Sequence, residues 1–146
     1  MRAAEQKKDI ILRNPHSIRP YQHVLEPLSA YLKIAQRQVE DKSIQGYYNV
    51  GPNEEDCVTT GRVAELFCKH WGEGLEYIVE KNDGPHEANF LKLDCSKIKK
   101  DLNWMPRWDI DKAIEKTVEW DKVYLRGEDV LRCMENQIEE FFIEKL

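Results

Sequence analysis

No stretch of this chain approaches the ~20 consecutive apolar residues that a membrane-spanning helix requires. Its opening residues, MRAAEQKKD, also lack the apolar middle of a secretion signal. A cytoplasmic protein with no membrane partner is therefore expected. The four cysteines, Cys57, Cys68, Cys95 and Cys133, are far apart and form no CxxC pair, which argues against a zinc site or a disulfide framework. Reduced, mostly buried thiols are expected instead. The four histidines (His16, His23, His70, His86) share no metal-ligand spacing.

Glycine-rich phosphate loops are missing as well. There is no GxGxxG or TGxxGxxG turn, so the backbone cannot approach a pyrophosphate at a helix start in the dinucleotide-binding manner. A P-loop, a GxSxG elbow, an HExxH pair and an EF-hand loop are absent too. There is no basic stripe. The net charge is −5 and the basic residues are scattered among acids, which speaks against nucleic acid. The one local cluster, Lys97, Lys99 and Lys100, reads as a solvated helix face.

What is present suits a globular fold. The chain has 146 residues, 41% hydrophobic and 34% charged, enough for one domain over residues 1–146 with a modest core. MRAAEQKK reads as the last turns of a helix that begins abruptly, without a cap, and runs into a strand at Asp9–Arg13. That start fits either an excised piece or an ordinary first helix. A turn at Asn14–Ser17 follows. Leu25, Leu28, Tyr31, Leu32, Ala35 and Val39 then recur at helical spacing as one buried face, with Pro27 in the first turn. This helix, from Val24 to near Lys42, is also the one whose apolar face is most readily left uncovered.

Tyr47–Val50 reads as a short strand, Thr59 or Thr60 caps a helix carrying Val63, Leu66, Phe67 and Trp71, and Leu75–Val79 is a second strand. That order is the sequence form of a parallel crossover. A loop over Lys81–Glu87 leads through Phe90–Leu93 to Asp94, which is placed to cap a helix ending at Leu102. After a Trp104–Pro106–Trp108 turn, Asp109 caps a helix with Ile110, Ala113, Ile114, Thr117, Val118 and Trp120 inward. A last helix carries Val130 to Phe142. The predicted class is α/β, helix-rich, with a small parallel sheet flanked by helices and no Rossmann domain.

Residues Ile18-Arg19-Pro20-Tyr21-Gln22-His23-Val24-Leu25-Glu26-Pro27, Tyr48-Asn49-Val50-Gly51-Pro52, Pro85-His86-Glu87-Ala88 and Leu91-Lys92-Leu93-Asp94-Cys95-Ser96-Lys97 follow one another along the chain. Leu102-Asn103-Trp104-Met105-Pro106 and Lys116-Thr117-Val118-Glu119-Trp120 continue the series. Together they resemble extended short-chain dehydrogenase/reductases, and within that group the CDP-glucose 4,6-dehydratases. The resemblance covers nearly the whole chain and implies the substrate-binding, carboxy-terminal part of such an enzyme. An intact relative carries an NAD-binding Rossmann domain and a Tyr-xxx-Lys pair that this sequence lacks. It uses NAD to take hydride from C4 of the glucose, loses water across C5 and C6, and returns the hydride to C6.

The resemblance further implies that this part grips the nucleotide half of CDP-glucose, without catalysis or bound NAD of its own; on its own, the uncovered apolar face of the helix from Val24 is expected to make it self-associate as a homo-oligomer. Arg19 is the first candidate, because a planar guanidinium makes two parallel charge-assisted hydrogen bonds to phosphate. Asn49, at the end of its expected strand, is placed either to donate to phosphate or to support the loop that does. His86 sits in a Gly-Pro loop, and a nearby anion would favour its protonated, donating form. His23 alternates with Tyr21, and Arg13 precedes the first turn; each also reads as a purely structural position. The dTDP-glucose relatives place an Arg in the loop that here reads Asp83-Gly84-Pro85-His86, which shifts phosphate contacts towards His86 or Lys92. The competing reading is a free-standing module that binds a sugar nucleotide or a protein and catalyses nothing.

Overall fold

The computed structural model describes residues 1–80 and 90–143. Six helices and a two-stranded sheet run in the order α1 (Arg2–Glu5), β1 (Ile10–Leu12), α2 (Leu25–Glu40), α3 (Thr60–Trp71), β2 (Tyr77–Val79), α4 (Ser96–Leu102), α5 (Ile110–Leu125) and α6 (Val130–Ile143). Single 3₁₀ turns lie at Lys42–Ile44 and Glu54–Asp56.

Local chemistry sets most of these boundaries. Thr59 caps α3 by accepting from Arg62 N–H, and Asp109 caps α5 by accepting from Lys112 N–H, each satisfying a helix-start donor that would otherwise lack a partner. Asp94 acts one residue earlier than a cap, accepting from Ser96 N–H at 2.9 Å while Cys95 holds the cap position. Asn103 ends α4 in the left-handed conformation (φ 48), which asparagine tolerates better than most side chains.

The sheet pairs β1 with β2 in parallel, in the register Ile10 with Tyr77, Ile11 with Ile78 and Leu12 with Val79. The crossover is therefore real, but its first strand is Ile10–Leu12 and not Tyr47–Val50. Side chains occupy the backbone carbonyls at 47 and 50: Lys97 Nζ donates to Tyr47 O and Gln22 Nε2 to Val50 O. Tyr47 is almost wholly exposed, so β propensity there finds no neighbouring strand to pair with.

Two apolar clusters organise the interior. Ala4, Phe67, Trp71 and Val118 join α1, α3 and α5, with Ile10, Leu75 and Ile114 packed around them. Ala30, Cys95, Ile98, Leu102 and Trp104 join α2 to α4 and the turn after it. The inward face of α2 is a correction to the sequence reading. Glu26 and Ala30 are fully buried and Ile34 packs on the second cluster, while Leu28, Tyr31, Leu32, Ala35 and Val39 face outward, Val39 at 87% exposure. Helical periodicity shows that a face is apolar; it does not show which neighbour covers it. α6 behaves likewise, burying Cys133, Gln137 and Phe141 and leaving Leu131, Met134, Ile138 and Phe142 exposed.

Candidate functional site

Residues 15–21 form a strip laid across the start of α3. Gly61 N–H donates to Pro15 O at 2.8 Å and Thr60 N–H to Ser17 O at 2.9 Å, so the first two helix-start donors of α3 are spent on this strip. Ile18 bridges Thr59 on one side and Phe90 on the other, and Leu91 N–H donates to Ile18 O at 3.1 Å. The strip is thus the middle of three adjoining segments. A fourth, residues 47–52, is tied on by Gln22 Nε2 to Val50 O and by Asn49 Nδ2, which donates to Asp94 O at 3.0 Å.

Arg19 sits on this strip, with its N–H on Val58 O, its carbonyl accepting from Tyr21 N–H and its Nη1 donating to Ile18 O at 2.8 Å. Asn49 lies on the adjoining segment. Its amide is engaged with Asp94 O, which of the two roles open to it matches support of the loop. Arg13 is exposed, one residue past the carboxyl end of β1, and no described residue bonds its guanidinium. Ligands of parallel sheets collect beyond that end of the strands. His86 lies outside the described residues.

His23 is 9% exposed. Its Nδ1 accepts from Leu25 N–H at 3.3 Å and its ring meets Trp108 edge-on at 4.9 Å. Burial, reinforced by the Lys116 ammonium, lowers its pKa to about 4, so the ring is neutral at physiological pH with its proton on Nε2. Its wall continues into a groove of about 420 Å³ lined by Val24, Thr117, Trp120, Met134 and Ile138.

Beside the strip, a polar hollow of about 450 Å³ is lined by Glu54, Cys57, Lys92, Asp94, Cys95 and Lys99. Lys92 pairs with Glu54 at 2.8 Å, and this hydrogen bond raises the pKa of Lys92 and lowers that of Glu54. Lys99 donates to Asn53 Oδ1 at 2.9 Å. Burial pushes the Cys57 and Cys95 thiols up, away from the thiolate form that nucleophilic chemistry needs. All four cysteines are free. No group of three or more described His, Cys, Asp or Glu residues could hold a metal ion.

Sequence reasoning overlooked the hydroxyls under the strip. Ser17 Oγ and Tyr21 Oη lie 2.9 and 3.1 Å from Thr60 Oγ1. They are 43 and 39 positions from Thr60 in the chain, so local pattern carried no sign of them beyond a helix-start threonine.

No protein-family model matches the chain. The CDP-glucose 4,6-dehydratase of Salmonella typhimurium is 40% identical to it over 142 residues, which is 97% of this chain. The chain is similar to that CDP-glucose 4,6-dehydratase along nearly its whole length. It spans 40% of that dehydratase's length. The similarity covers nearly the whole chain, and so most of the strip and its flanking segments as well as both core clusters. Among solved structures, the UDP-N-acetylglucosamine 4-epimerase from Bacillus cereus superposes with a TM-score of 0.62 at 20% identity, over 86% of this chain and 41% of that one. That likeness shows the fold, a helix-rich lobe with a small parallel sheet that corresponds to part of that epimerase.

Proposed function

We propose that this chain is the sugar-nucleotide-binding part of a CDP-glucose 4,6-dehydratase, holding the nucleotide half of CDP-glucose while the reaction takes place on residues beyond this sequence. The observation that carries the reading is the assembly of the strip bearing Arg19 against the segments of Asn49 and Lys92, in a chain 40% identical to such an enzyme. Arg19 is assigned to the pyrophosphate, where charge-assisted, bidentate bonding is strongest. Asn49 holds the 90–96 segment in place. Arg13, His23 and His86 complete the proposed binding set, His23 by fixing the end of the strip through its neutral ring.

NAD would supply hydride transfer in the intact enzyme. The residues here do not fit it: residues 13–24, which follow β1, contain no glycine, and a dinucleotide's pyrophosphate needs the bare backbone of a glycine turn at a helix start. No step is therefore assigned to NAD in this chain. The outward stripe of α2, with Leu28, Tyr31 and Leu32 about half or more exposed, supports a homo-oligomer, and a cytoplasmic setting follows from a sugar-nucleotide substrate. No described helix is long and apolar enough to cross a membrane.

Calorimetric titration of the chain with CDP, UDP, dTDP and NAD tests the reading. CDP binding that is strongly weakened, but still measurable, in Arg19→Ala, with no NAD binding, supports it. Equal indifference to all four ligands, or tight NAD binding, overturns it in favour of an interaction module.

A further inference from the structure

We infer that Thr60 is the positioning residue for Arg19, gripping the strip on both sides of it. The bond inventory of one hydroxyl makes the case. A threonine hydroxyl has one proton and two lone pairs. Thr60 Oγ1 donates its proton to Ser17 O at 3.1 Å, so the two other hydroxyls in contact with it, Ser17 Oγ at 2.9 Å and Tyr21 Oη at 3.1 Å, are the donors. All three bonding capacities of Thr60 are filled. Their partners stand two residues before Arg19 and two residues after it.

Arg19 itself has little backbone freedom left. Its N–H is on Val58 O, its carbonyl accepts from Tyr21 N–H, and Pro20 fixes the peptide between them. Ser17 is 4% exposed, so its bonds are made away from water, where each counts for more. Gly61 completes the grip. Its N–H holds Pro15 O, and a Cβ at this position would stand 3.1 Å from that oxygen and 3.3 Å from the Pro15 ring. The backbone from which the Arg19 side chain departs is therefore held by the first turn of α3.

This inference rests on the assignment of Arg19 to a nucleotide phosphate, and a double-mutant cycle on CDP binding separates the two. Thr60→Val keeps the shape and removes all three bonds, and we expect roughly tenfold weaker CDP binding from it, with Thr60→Ser restored to within about twofold. Gly61→Ala, which leaves every hydroxyl in place but crowds Pro15, should weaken binding similarly. In the Arg19→Ala background neither substitution should cause further loss, because the group they aim is already gone. Full additivity of Thr60→Val with Arg19→Ala, or failure of Thr60→Ser to restore affinity, overturns the positioning role while leaving the Arg19 assignment intact. If Arg19→Ala leaves CDP affinity unchanged, or CDP does not bind, the assignment falls and this inference falls with it.

Discussion

Glu26 Oε1 accepts from the backbone N–H of Trp108 at 2.8 Å and from that of Arg107 at 2.9 Å. One fully buried carboxylate thereby ties the first turn of α2 to the turn between α4 and α5, 82 positions away in the chain. Backbone amides buried in a tight turn have few other acceptors, and charged acceptors make the stronger bonds.

Glu26→Ala should therefore destabilise the fold by about 3 kcal/mol, since it strands the buried donor of Trp108 and the partly buried one of Arg107 and leaves a cavity. Glu26→Gln keeps a carbonyl oxygen in place and should cost less than half as much. Urea unfolding of the three proteins measures both; equal losses for Ala and Gln would show that the carboxylate oxygen is not what holds the turn.

His23 predicts a pH dependence. The unfolded chain protonates this ring near its ordinary 6.5, whereas the folded chain, where burial and then Lys116 oppose the charge, does so only near 4. Below 6.5 the unfolded state binds more protons, so stability is complete above that pH and falls as pH drops towards 4. The loss should be on the order of 2 kcal/mol, with allowance for the solvent screening at the groove side of the ring. Thermal melts between these pH values should show a slope that flattens in His23→Gln. An unchanged slope would place the ring in water.

Asp121 works in the opposite sense. It is 2% exposed and its Oδ2 has no hydrogen-bond partner among the described residues, and burial, with Glu5 nearby, raises its pKa. A carboxyl whose folded pKa lies above the unfolded one contributes stability below the unfolded pKa and loses it as pH rises through the folded pKa. Asp121→Asn should thus stabilise the protein by up to about 1 kcal/mol at pH 7, with the gain vanishing near pH 3 where both side chains are neutral. A gain that persists in acid would point to packing as its origin.

Much of the local architecture could be read directly. Thr59, one of the two threonines expected to do so, caps α3 and Asp109 caps α5 as expected, because a cap is a contact within three residues and depends on little else. The crossover was legible as an order of elements, but its pairing was not. Tyr47–Val50 and Ile10–Leu12 both have strand-forming composition, and only the three-dimensional neighbourhood of β2 chose between them. In the candidate site, Arg19 and Asn49 stood out by residue type and resemblance, while the Ser17–Tyr21–Thr60 cluster was invisible because its members meet only after the chain has folded back on itself.

By itself, then, the sequence determined the helix starts and stops, the apolar stripes, the absence of a dinucleotide turn and the likeness to a dehydratase, all properties of short segments or of residue identity. Tertiary structure alone decided which stripe of α2 is inward, that Glu26 is buried beneath Trp108, and that Thr60 holds the residues on either side of Arg19. The reason is physical. Burial and hydrogen-bond satisfaction depend on what lies within a few ångströms, and for these groups the neighbour comes from a segment dozens of residues distant.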